Sequence, residues 1–216
     1  MAILGRLLFL ACLLGTQMPM CAIASGMANS APDLAHRSPF QIVFLQQSWD
    51  VLHLGYEADA AFAKLQATDW SKPFFVVNVE DIESYRWSTQ TIQLTIPATD
   101  KLLSASLPEA VAAEKKGGKK RSLELILNHR VFGVFVFGKP IYYGVVLDTF
   151  SQMGIRWPVC HAEAIDGHAV MHLLPFQMSG RSSVNYDDAA KSTPMSERIR
   201  DPRIAEIMVK AKVMYP

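Results

Sequence analysis

The stretch VCHAEAIDGHAVMH, Val159–His172, decides how this chain folds. Asp166 and Gly167 stand between two alternating runs. An Asp-Gly pair in that setting is the strongest local signal for a two-residue hairpin, because both central residues must take positive φ. A turn that tight fixes the register: Ile165 faces His168, Ala164 faces Ala169, Glu163 faces Val170, Ala162 faces Met171, His161 faces His172 and Cys160 faces Leu173. Side chains alternate between the two sides of a strand. One side therefore carries Cys160, Ala162, Ala164, Ala169, Met171 and Leu173, which is a core face. The other carries His161, Glu163, Ile165, His168, Val170 and His172.

Two chemistries compete for this hairpin. His161 and His172, as cross-strand neighbours with Cβ atoms about 5 Å apart, have the separation that suits one transition metal. Zinc or copper held by His161, His172 and Glu163 is one candidate, and a solvated sheet face that happens to carry imidazoles fits the same pattern. Cys160 invites a cysteine-hydrolase alternative. Its apolar neighbours argue for a buried thiol instead, since burial disfavours the reactive thiolate, and the register turns His161 to the opposite side.

Working outward, strands are expected at Pro39–Gln47, Phe74–Val79 and Tyr85–Ile96. In the last, Ile92, Leu94 and Ile96 alternate with Thr91, Gln93 and Thr95, the period of a sheet with one buried and one wet face. Taken as one continuous strand, it puts Tyr85, Trp87, Thr89 and Thr91 on the wet side. Rings beside hydrogen-bonding groups suit a sugar or an extended peptide, so these four are the candidate binding residues. Val131–Phe137 is apolar on both sides and predicts the centre of the sheet, joined to Ile141–Leu147 by a loop at Gly138, Lys139 and Pro140 that should exceed two residues.

Helices are expected at Ala58–Ala67, at Leu107–Lys116 and after Asp201, where an Asp cap precedes Pro202 and an apolar stripe of Ile204, Ile207, Met208 and Ala211. Glu80, Asp81 and Glu83 lie close in sequence without the spacing of a calcium loop, and read as solvated acids. The run EKKGGKK, followed by Arg121, reads as a solvated loop, and Met178–Thr193 as a polar surface segment. The assembled expectation is a single α+β domain over 39–216, with a mainly antiparallel sheet and a C-terminal amphipathic helix.

The N-terminal segment has Arg6, an apolar run from Leu7 to Leu14 and the triplet Ala22, Ile23 and Ala24. This predicts a secretory signal peptide over 1–24, followed by a polar lead-in over 25–38. No later apolar run has the ~20 residues of a membrane span, so a soluble periplasmic or secreted protein is expected. Loss of the leader would remove Arg6, Cys12 and Cys21. The remainder holds 20 basic against 20 acidic residues, which gives no field for nucleic acid, and Cys160 alone, which cannot form an internal disulfide. The signatures GxSxG, HExxH, the phosphate loop and the dinucleotide fingerprint are missing. The expectation is a non-catalytic binding or accessory protein of the bacterial envelope, with a protein or glycan partner and no cofactor.

Overall fold

The computed structural model describes residues 38–114, 123–178 and 194–216. The expected leader, nearly all of the polar lead-in, the basic run after Glu114 and the polar segment after Met178 lie outside them. The described strands form one nine-stranded sheet, in the spatial order β2-β1-β5-β6-β7-β8-β4-β3-β9. No described helix is long and apolar enough to cross a membrane.

One half of the sheet is covered on both sides. It consists of β1 (Phe40–Ser48), β2 (Pro73–Asn78), β5 (Arg130–Val136) and β6 (Lys139–Val146), all paired antiparallel. Every residue of β5 is buried, as its two-sided apolar pattern demands. Below it, α1 (Ala58–Gln66) inserts Ala61 and Leu65, and the segments around it add Trp49, Leu54, Trp70, Ile155 and Trp157. Trp70 stacks on Tyr143 at 5.3 Å and meets Phe135 edge-on. Its neighbour Gly133 leaves room for that indole.

The second half joins the first at β7 (Val159–Ile165), which runs parallel to β6. β8 (His168–Leu174), β4 (Thr91–Leu94) and β3 (Ile82–Arg86) follow antiparallel, and β9 (Met214–Tyr215) closes the edge parallel to β3. The sheet is thus mixed, which corrects the expectation of a mainly antiparallel one. The β6–β7 contact follows a crossover connection and the β3–β9 contact joins segments far apart in sequence, and neither has a tight-turn signal to mark its direction.

Helices α2 (Ile96–Glu114), α3 (Leu123–Leu127), α4 (Pro194–Ile199) and α5 (Pro202–Lys210) serve the upper side. They contribute Ala98, Leu102, Leu127, Ile199, Ile204 and Met208 to a core that runs over both halves. Asp201 caps α5 through the Arg203 N–H and Pro202 opens it, as its sequence implies, although Ala211 stays exposed at its end.

Three local expectations change. The supposed strand Tyr85–Ile96 is a hairpin, β3 and β4, reversing over Trp87–Gln90, with Gln90 at φ 52°. The helix expected at Leu107–Lys116 already starts at Ile96, because Thr95 Oγ1 accepts the Ala98 N–H and Pro97 fits a first turn. The β5–β6 connection is only the two residues Phe137 and Gly138, both at positive φ. Pro140 is accommodated instead by a register shift opposite Val134 and Phe135.

The Asp166-Gly167 hairpin has the register its turn dictates. Asp166 and Gly167 take φ 50° and 84°, and all six expected pairs from Ile165–His168 to Cys160–Leu173 are present.

Candidate functional site: the open face of the second half-sheet

Beyond β7 the lower side of the sheet has no covering element among the described residues. His161 marks the border. It is 1% exposed, its Nδ1 donates to the Leu147 carbonyl at 3.0 Å, and burial lowers its pKa to about 4 against the opposing pull of Leu147 and Gln177. From there outward the face becomes polar, because the residues between the core positions of β8, β4 and β3 are His168, Val170, His172, Thr91, Gln93, Ser84 and Arg86.

Two histidine–carboxylate pairs organise it. His172 Nε2 lies 3.0 Å from Glu163 Oε1, and its Nδ1 is 3.1 Å from Thr91 Oγ1, which in turn meets Thr89 Oγ1 at 2.9 Å. His168 Nδ1 lies 2.9 Å from both the Leu94 carbonyl and Glu83 Oε2, and Gln93 Nε2 donates to the same carboxylate oxygen at 3.0 Å. Between these pairs opens a concavity of about 300 Å³, lined by Arg86, Thr91, Gln93, Asp166, His168 and His172 among others. A second, of about 290 Å³, adjoins it through Ser84, Arg86 and Gln93 and ends at Tyr215, whose residue is 55% exposed. Together they form a trough across β8, β4, β3 and β9.

The residues singled out in the sequence are divided by the fold. Thr89 and Thr91 meet at this face. Tyr85 lies on the covered side, 1% exposed, its hydroxyl donating to Gln90 Oε1 at 2.5 Å, and burial holds its phenol far above the ordinary range. Trp87 is half-buried on that same side, edge-on to Tyr85 at 6.0 Å. The reversal at Trp87–Gln90 is the cause: it breaks the alternation that a continuous strand would have kept.

His161, His172 and Glu163 remain register neighbours, yet each ring has a separate partner. Only His172 reaches Glu163, and among the described residues no group of three or more His, Cys, Asp or Glu side chains is arranged to hold a metal. A zinc or copper ion there would have to displace the His172–Glu163 bond. Cys160 is 1% exposed on the core side, and burial pushes its thiol far above the ordinary range, away from the nucleophilic thiolate.

Arg86, Glu83 and Tyr215 were not legible as site residues. Arg86 reaches the trough only because β3 ends there, and Tyr215 only because the chain returns after α5 to pair with it. His168 and Gln93 carried a usable signal, the alternation of their own strands. No family model, curated protein or solved structure matches this chain.

Proposed function

We propose that the chain is an exported binding or accessory protein of the bacterial envelope, organised as one α+β domain, and that it holds its partner on the open trough. One observation carries this: the same sheet is covered on both sides across β1, β5 and β6, while across β8, β4 and β3 its lower side is left polar and concave. A polar sheet face that merely met solvent would not need concavity or paired side chains. These strands also lie inside the sheet, so their backbone groups are already used by neighbouring strands. Recognition therefore falls to side chains. Planar polar groups at Arg86, Gln93, Glu83 and His168, beside the exposed ring of Tyr215, suit the hydroxyls and apolar ring face of a glycan better than a strand-adding peptide.

The test is a glycan array and an envelope pull-down with the wild-type chain, with Arg86→Ala/Gln93→Ala, and with Lys139→Ala on an exposed site outside the trough as control. Ligands retained by the wild type and the control should be lost by the double variant. Identical capture by all three would sink the proposal.

A further inference from the structure

Three contacts run in one direction across the trough floor, from Glu163 through His172 and Thr91 to Thr89. An ionised carboxylate only accepts, so His172 donates from Nε2; in the tautomer with its one proton there, the ring presents a lone pair at Nδ1. In that tautomer Thr91 donates to His172 and accepts from Thr89. Carboxylate, imidazole and hydroxyl in that order allow a base to draw the proton from an alcohol as the alcohol attacks a carbonyl. Thr91 and His172 both line the concavity of about 300 Å³, a space that a ligand can occupy. Arg86, the cross-strand partner of Thr91, lines it as well and brings a permanent positive charge.

We infer that this trough removes an O-acyl group from the ligand it binds, with Thr91 as nucleophile. The inference rests on the open face being a ligand site. Thr91 Oγ1 forms a bond to the acyl carbon and its proton passes to His172 Nδ1. Negative charge on the carbonyl oxygen is stabilised by Arg86. The ester C–O bond then breaks, and the leaving alkoxide takes the proton from His172. Water repeats the sequence on the acyl-threonine, releasing a carboxylic acid and restoring the hydroxyl. Glu163 is a positioning residue: it fixes the tautomer of His172 and stabilises the imidazolium.

The experiment mixes the full chain with p-nitrophenyl acetate in a stopped-flow instrument and maps the adduct by peptide mass spectrometry. Wild type should release about one nitrophenolate per chain in a burst and carry the acetyl group on Thr91. Thr91→Val should lose the burst, and Thr91→Ser should keep it. Glu163→Gln should slow the burst about 10²-fold while leaving its amplitude intact, whereas a variant that had lost its fold would lose amplitude. No burst, a burst that survives Thr91→Val, or acetyl on another residue would overturn the inference. A chain that retains glycans through the trough yet shows none of this chemistry overturns the relay alone. A working relay with no glycan retained supports the relay and overturns the glycan assignment alone.

Discussion

His161 and His172 face each other across β7 and β8, but their rings serve opposite sides of a border: His161 bonds inward to the Leu147 carbonyl and His172 outward to Glu163 and Thr91. The pairing distance that suggested a metal is thus divided between a core contact and a surface network. That division makes His161 a stability element with a pH signature of its own.

In the folded chain His161 stays neutral down to about pH 4, whereas its unfolded ring takes a proton below 6.5. Between those values the unfolded state binds more protons, so stability falls as pH drops from 6.5 to 4 and this contribution levels off below. Urea unfolding at pH 7 and pH 4.5 should show wild type losing roughly 2–3 kcal/mol more than His161→Gln over that interval. Parallel losses in the two proteins would contradict the buried neutral ring.

Cys160 should react with a thiol reagent at pH 8 only after denaturation, because its sulfur is buried among apolar side chains and held in the thiol form. Rapid labelling of the native chain would revive the hydrolase alternative.

Gly144 has no space for a methyl group. A Cβ there would come within 2.2 Å of the Phe132 ring and 2.8 Å of the Pro158 carbonyl oxygen, while one on Gly55 would meet nothing within 4 Å. Gly144→Ala should therefore cost about 1–3 kcal/mol in denaturant unfolding, and Gly55→Ala much less.

The Arg203 guanidinium, at 2.8 and 2.6 Å from the two Asp201 oxygens, and then the Arg203 N–H at 2.9 Å hold the Asp201 carboxyl below the usual range. Asp201→Ala should cost about 1 kcal/mol, or roughly 2–4 °C in melting temperature for a chain of this size. Asp201→Asn, which can still cap, should recover most of that loss.

What the sequence discloses depends on how local the cause is. The β7–β8 register follows from two adjacent residues, Asp166 and Gly167, and α5 from Asp201 and Pro202. At Trp87–Gln90 the chain reverses on Trp-Ser-Thr-Gln, with no Gly, Pro, Asn or Asp to mark a turn. Gln90 accepts positive φ there, and its side chain is tied to the Tyr85 hydroxyl and the Trp87 carbonyl. Tertiary contact overrides the missing turn signal, and every side assignment upstream of it inverts. The trough suffers more, since Arg86, Gln93, His168 and Tyr215 meet only through pairings among β3, β4, β8 and β9.

The parallel junction of β6 and β7 spans only the pairs Val145–Val159 and Val146–Cys160, against seven between β7 and β8. A seam of only two pairs thus falls between the sealed half and the open half. Backbone amides along Val145–Leu147 and Val159–Cys160 should exchange with solvent before those at the heart of either half, so that the shared helical core, more than the strand ladder, ties the trough to the sealed half.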